Sequence, residues 1–211
     1  MKNLIIIGAR GYGREVYNLA LQCEGYNKNY VIKGFLDDKL EALVGFENYP
    51  EIISNVESYE IQEGDIFTCA LGSVKWKKYY VEMILSKRGI FINLIHPTLV
   101  FNSNVKMGSG LIIFMYSNIS NDCSIGDFVT IQSFVGIGHD SKVGDWCHIN
   151  AFSFMGGFAI LKDQVCLNIR ATVLPNVIVH EGATVGAASL VIKNVKANTT
   201  VFGIPATVLK F

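Results

Sequence analysis

"ISNDCSIGDFVTIQSFVGIGHDSKVGDWCHI" (residues 119–149) returns to an aliphatic residue at every sixth position: Ile119, Ile125, Ile131, Ile137, Val143 and Ile149. Followed outward in both directions, this column runs unbroken from Phe101 to Val191, sixteen apolar positions. Two residues before each member after Phe101 lies a second column, from Val105 to Ser189, of small or β-branched residues; Leu111 is the exception. Half of the chain is apolar, so sixteen successive hits would arise by chance about once in 2^16 trials. A helix needs a spacing near 3.6 and an ordinary strand a spacing of 2, so neither explains a period of six. A hexapeptide repeat is the signature of a parallel β-helix, in which three hexapeptides close one triangular coil of about eighteen residues. The large aliphatic points inward and the small residue fits beside it. Gly often follows the aliphatic (Gly108, Gly126, Gly138, Gly144, Gly156, Gly186), where a tight turn is expected.

The coil length decides which residues meet. Residues eighteen apart stack on adjacent turns, so Gly157 should lie over His139 and Asn121 beneath it. A backbone N–H of the 156–157 pair would then sit about one strand spacing from the imidazole, placed to donate to a carbonyl oxygen beside that ring. His139 is suited to act as a general base, with Asp140 accepting the other ring N–H, orienting the ring and raising its basicity. A solvated turn histidine is the plainer alternative. His148 follows nine residues later, half a coil, and so lies across the prism from His139. The two can cooperate only between subunits packed side by side, most naturally in a closed trimer. His96, before Pro97, and His180, in a turn, read as structural.

The first ninety residues have a different pattern. "LIIIGARGYGREVYNLALQC" (residues 4–23) is a buried strand, a Gly-rich turn and a helix with Val16, Leu19, Ala20 and Cys23 on one face. "VIKGFLDD" is a second strand, "GDIFTCALGS" a third, and a helix from about Lys75 to Ser86 follows. Strand alternating with helix implies a small parallel sheet. Ligands of such sheets bind at the carboxyl ends of strands, where Arg10, Gly11, Tyr12, Asp37, Asp38 and Gly72 fall. Gly8, Gly11 and Gly13 resemble a dinucleotide fingerprint, a weak signal in a domain this small. A nucleoside diphosphate carrying a sugar fits the space better than a nicotinamide cofactor, and a purely structural turn remains open. The expected division is 1–92, a Rossmann-like sugar-nucleotide-binding domain, and 93–211, an all-β β-helix.

Composition excludes several classes. The formal charge is zero, with 18 basic and 18 acidic residues, so nothing points to nucleic acid. No run approaches the roughly 18 apolar residues of a membrane helix, and the first apolar run meets Gly8 too early for a signal peptide. Five cysteines, odd in number and without C-x-x-C spacing, fit neither a disulfide framework nor a zinc knuckle, and a reduced cytoplasmic setting is the simplest expectation. The histidine spacings of 43, 9 and 32 supply no close pair for a zinc site, so no metal is expected.

The motifs "IIIGARGYGREV", "GFLDD", "ALGS", "LIHP", the uninterrupted hexapeptides with "GHD", "MGG" and "ATVLPNV", and the closing "VFGIPA" resemble the sialic-acid and UDP-amino-sugar acetyltransferases of the left-handed β-helix class. The resemblance spans essentially the whole chain. It implies the left hand of the coil, acetyl-CoA as co-substrate, a homotrimer with sites between subunits, and an amino or hydroxyl group of a bacterial surface-sugar precursor as acceptor. Carried over, His139 is the base, with Asp140 behind it. Gly157 N–H meets the thioester oxygen, and acetyl-CoA lies near His148, Ile169 and Ala187. Arg10, Gly11, Tyr12, Asp37, Asp38 and Gly72 hold the sugar nucleotide. Arg10, Tyr12, Asn168 and Ala187 depart from the family's usual small, His or Gly residues, so the recognised sugar, nucleotide or pantetheine groove can differ. An N-acetyltransferase on a nucleotide-linked amino sugar is the leading expectation. An O-acetyltransferase on a sugar hydroxyl, a metal enzyme of the same architecture and a non-catalytic scaffold are the alternatives.

Overall fold

The computed structural model describes residues 1–209, in two units that divide after Pro97. Lys210 and Phe211, at the end of the segment assigned to the β-helix, lie outside the described residues.

In the first unit, β1 (Lys2–Ile7), α1 (Gly11–Gln22), β2 (Tyr30–Leu36), β3 (Ile52–Ser54), β4 (Asp65–Cys69) and α2 (Val74–Ser86) follow in order. The strands form a parallel sheet in the order β3-β2-β1-β4. Leu4 to Ile7 are at most 1% exposed, as expected of an unbroken apolar run in a central parallel strand. Helix α1 buries Gly13, Val16, Leu19 and Ala20, the helical spacing visible in the sequence. Strand β3 is an addition to the expected order. At three residues it is too short to carry a period, and backbone bonds such as Phe35 N–H to Glu51 O (2.9 Å) dock it on β2.

The Gly-rich turn between β1 and α1 has internal reasons for two of its glycines. Gly8 lies at φ +97°, and a Cβ there would come within 2.8 Å of the Ala70 carbonyl oxygen. A Cβ on Gly13 would stand 2.0 Å from the Gly8 carbonyl oxygen. At Gly11 a Cβ would meet nothing within 4 Å.

The second unit is a left-handed parallel β-helix of two-residue strands. One face stacks Lys106–Met107, Ser124–Ile125, Lys142–Val143, Ile160–Leu161 and Ile178–Val179. The next carries Ile112–Ile113, Thr130–Ile131, His148–Ile149, Cys166–Leu167 and Thr184–Val185, ending in Thr200–Gly203 and the antiparallel Ala206–Val208. The third carries Val100–Phe101, Asn118–Ile119, Gly136–Ile137, Phe154–Met155, Thr172–Val173 and Leu190–Val191. Partners such as Gly136↔Phe154 are eighteen residues apart, as the period requires; the last coil shortens, with Thr184 opposite Thr200.

Both columns are buried from Leu111 onward; in the first coil Phe101 is 60% exposed and Val105 and Met107 are half-buried, because no complete coil covers that end. Ile113, Ile119, Ile131, Ile149 and Leu167 are fully enclosed, and each such side chain contributes about 1.5–3 kcal/mol by leaving water. Polar members of the small column find acceptors fifteen residues on. Ser117 Oγ donates to Gln132 O (2.9 Å), Ser141 Oγ to Gly156 O (3.0 Å) and Ser153 Oγ to Asn168 O (3.0 Å). Cys147 Sγ lies 3.1 Å from Lys162 O, and burial pushes its thiol up to about 12. These cysteines fill the core.

The turns correct one expectation. None of Gly108, Gly126, Gly138, Gly144, Gly156 and Gly186 adopts a left-handed φ. They are needed because the coil above is so close: a Cβ on Gly138 would lie 2.6 Å from Gly157 N, and one on Gly126 2.8 Å from Asp145 N. The left-handed residue comes two positions later and is seldom Gly. Asp140, Phe134, Phe152 and Trp146 all hold φ near +60°, at 59°, 62°, 61° and 63°. Asp and Asn tolerate this region. The aromatics offset its cost by stacking on the next coil, Phe134 on Phe152 at 4.9 Å and Phe128 on Trp146 at 4.4 Å.

Candidate active site

The three corners of the β-helix differ in what they do with backbone N–H groups. At the corner after the first face, Ser109, Asp127 and Asp145 donate their N–H groups to Asp127, Asp145 and Asp163 Oδ1 one coil on, at 2.7, 2.8 and 3.0 Å. The capping runs as far as Asp145; Asp163 N–H has no acceptor among the described residues. At the corner after the second face, the N–H groups of Ala151, Ile169 and Ala187 have no acceptor among the described residues. Ile169 is 48% exposed, and Ala187, eighteen residues on, is exposed too.

The corner after the third face holds Asn121, His139, Gly157 and Pro175 in one column. Asp140 sits in the left-handed turn residue, which swings its carboxylate back onto the ring: His139 Nδ1 and Asp140 Oδ2 are 2.8 Å apart. The pair is open to solvent, with side-chain exposures of 60% and 41%. Phe158 meets the imidazole edge-on, ring centres 5.2 Å apart at 89°. Gly157 is pressed against the opposite edge: a Cβ there would lie 2.7 Å from both Cε1 and Nε2. Gly157 N–H has no acceptor among the described residues. The column thus sets a base whose Nδ1 faces a carboxylate beside an uncommitted backbone donor. That combination can remove a proton from an attacking nucleophile and stabilise the oxyanion of an acyl transfer.

A cleft of about 460 Å³ opens here, lined by His139, Gly157, Pro175, Gly136, Gly138, Gly156, Ile137, Phe154, Asn118 and Ser120. Of these, sequence reasoning had singled out His139 and Gly157 for chemistry. Pro175 is thirty-six residues from His139, two coils, so the same arithmetic places it in the column. Asn118 and Phe154 are one column, eighteen residues either side of Gly136, but nothing in their identities marks a ligand.

His148 takes a different position. It lies on the second face, in the strand His148–Ile149, and is 8% exposed. A single chain does not bring it to His139, as the nine-residue spacing required. Its side chain is largely buried within its own chain, so little of it is left for the cofactor contact expected there. Among the described residues no three His, Cys, Asp or Glu side chains come together in a way that could hold a metal ion.

The first unit has its own cleft of about 340 Å³ at the carboxyl ends of β1, β2 and β4. Arg10, Asp37, Asp38 and Gly72 line it, as expected of that edge; Gly11 and Tyr12 do not. Those two residues open the first turn of α1, one step beyond the rim. Asp37 is buried and its carboxylate already accepts from Ala9 N–H and Lys39 N–H, both at 2.9 Å, so it braces the two loops. Arg10 is 71% exposed and stands 3.8 Å from Asp37 Oδ1. Leu71 and Ser73, from the loop after β4, and Trp76 and Tyr80, from α2, add to a lining that Ile7, Gly8, Leu36 and Val56 complete. Tyr80 OH donates to Asp38 Oδ2, and burial, then that carboxylate, push its phenol up, keeping it a donor.

Comparison with known proteins separates the same two regions. Residues 3–84 match the PglD N-terminal domain, and residues 122–157 match the bacterial transferase hexapeptide (six repeats). The first match falls in the sheet unit and the second within the β-helix. Among solved structures, a histidine-to-asparagine mutant of perosamine N-acetyltransferase from Caulobacter crescentus, in complex with CoA and GDP-perosamine, superposes with a TM-score of 0.90. The two are 21% identical, over 100% of this chain and 98% of that one. The acetyltransferase domain of PglB from Neisseria gonorrhoeae FA1090 gives 0.89 at 23% identity, over 99% and 100%. At such identities the likeness is one of fold. A serine acetyltransferase of Buchnera aphidicola is 30% identical over 138 residues, 64% of this chain; the matched stretch is 47% of that relative's length. No helix among the described residues is long and apolar enough to cross a membrane.

Proposed function

We propose that this protein is an acetyl-CoA-dependent N-acetyltransferase acting on the amino group of a nucleotide-linked sugar. The PglD-type unit holds the nucleotide, and the β-helix carries out the transfer. His139 takes a proton from the amine as its nitrogen attacks the thioester carbonyl. Asp140 holds the ring through Nδ1, leaving Nε2 as the base and stabilising the imidazolium that forms. Gly157 N–H donates to the oxygen of the tetrahedral intermediate. Collapse of that intermediate breaks the C–S bond, and the proton leaves with the CoA sulfur.

The observation that carries this reading is the His139 column itself: Nδ1 is taken by a carboxylate, and the Nε2 edge faces a glycine whose N–H is uncommitted. A PglD-type domain beside hexapeptide repeats supports it, as does the CoA and GDP-perosamine bound in the Caulobacter enzyme. The pantetheine arm is assigned to the open N–H groups beside Ile169 and Ala187. That corner and the His139 corner are different corners of one prism, so the reading places cofactor and base on neighbouring subunits of a homotrimer. Ile169, Ala187 and Gly157 offer these contacts from open backbone N–H groups, and His148 only through the small part of its side chain that reaches the surface.

The test is release of free CoA thiol with a panel of nucleotide-linked amino sugars and the matching hydroxy sugars. Turnover with an amine, falling at least a hundredfold in His139→Ala while the oligomer persists, is the expected result. Turnover confined to hydroxy sugars converts the assignment to O-acetylation. Undiminished turnover in His139→Ala removes the proposed base.

A further inference from the structure

Helix α2 turns an unusual face toward the cleft of the PglD-type unit. Its buried side chains are Lys77, Val81 and Ile84. Trp76 and Tyr80, one helical turn apart, line the cleft instead, and Trp76 is 50% exposed. The two rings lie nearly parallel, 28° apart with centres at 6.2 Å, and Tyr79 meets the indole edge-on at 5.8 Å. Tyr80 is anchored by its bond to Asp38. An indole left half in water contributes little to the core, yet its orientation is held from two sides. Such a surface suits a planar π-system that stacks on it.

The geometry points to Trp76 as the platform on which the nucleobase of the nucleotide-linked acceptor sugar stacks, with Tyr80 as the positioning residue that holds it. This inference rests on the proposed nucleotide specificity of the same cleft. Base–aromatic stacking tolerates any base, so Trp76 supplies affinity for the nucleoside; the choice of base lies elsewhere in the cleft. Asp38 lines the same cleft and supplies an acceptor for a hydroxyl or N–H donor of the same nucleoside. Arg10, largely exposed at the rim, supplies positive charge for the diphosphate.

The chain has two tryptophans, so Trp146→Phe leaves Trp76 as the single indole reporter without touching the cleft. In that background UDP and GDP should quench the fluorescence saturably, and inorganic pyrophosphate should not. Trp76→Leu should weaken binding of the better nucleotide at least about tenfold by calorimetry, Trp76→Phe should restore most of it, and acetyl-CoA binding should be unchanged in both. Full nucleotide affinity in Trp76→Leu overturns the platform and leaves the nucleotide reading standing. Wild-type protein that binds neither nucleotide overturns both. Equal loss of acetyl-CoA binding marks a folding defect in the leucine variant, and the phenylalanine variant then decides: retained affinity supports the platform, loss of affinity with intact acetyl-CoA binding refutes it.

Discussion

Two corners of the same β-helix, identical in backbone, put their peptide groups to opposite uses. At the Asp127–Asp145–Asp163 corner each carboxylate caps the N–H one coil below, so the edge is finished as far as Asp145, and Asp163 N–H is the first left without an acceptor among the described residues. At the His139 corner the column reads Asn, His, Gly, Pro, and Gly157 N–H is left open beside an imidazole. Where the other corner places a carboxylate that accepts, this column places an imidazole, a hydrogen and a pyrrolidine ring with no acceptor. In a solenoid, a site is made by withholding the caps that stabilise the rest of the scaffold.

That contrast can be broken by substitution. The largest effect is expected from Gly157→Ala, whose methyl would lie 2.7 Å from His139 Cε1 and Nε2. The exposed imidazole yields, so thermal stability should hardly change, while kcat should fall about a hundredfold for a displacement on the order of 1 Å. Unchanged kcat would show that the ring and Gly157 do not act together. Asp140→Asn comes next. Asn accepts the left-handed turn at φ 59° but removes the carboxylate, so kcat should drop about tenfold or more with the fold intact. The smallest effect is expected at the finished corner. Asp145→Ala uncaps Asp127 N–H, which water can reach, and should cost about 1 kcal/mol or less in a denaturant titration. It should leave turnover unaltered; lost turnover there would mean that the corners are not functionally separate.

Much of this site was legible because a solenoid turns sequence spacing into distance. Once the period is known, eighteen residues means one coil up, and the approach of Gly157 to His139 follows by counting. Asp140 was legible as the carboxylate next in sequence to His139, although its left-handed φ, which aims the carboxylate at Nδ1, was not. In the first unit spacing does not convert to distance. Arg10, Asp37, Asp38 and Gly72 were found because the carboxyl edge of a parallel sheet is a known place to look. Trp76 and Tyr80 reach the same cleft from a helix, and an amphipathic pattern does not say what its flank will face. Gly11 and Tyr12 were included by the same rule, yet they sit one step beyond the rim, in the first turn of α1.

The sequence by itself determined the period of six, and with it the stacking order of every corner, because coil register is fixed by counting residues. The tertiary structure decided which peptide groups remain unpaired and why the repeat glycines are needed. Both depend on contacts between coils a few ångströms apart, where a carboxylate or a single Cβ changes the outcome. It also decided that His148 is buried and that Trp76 is not, since burial reports what packs around a residue and leaves no trace in its spacing.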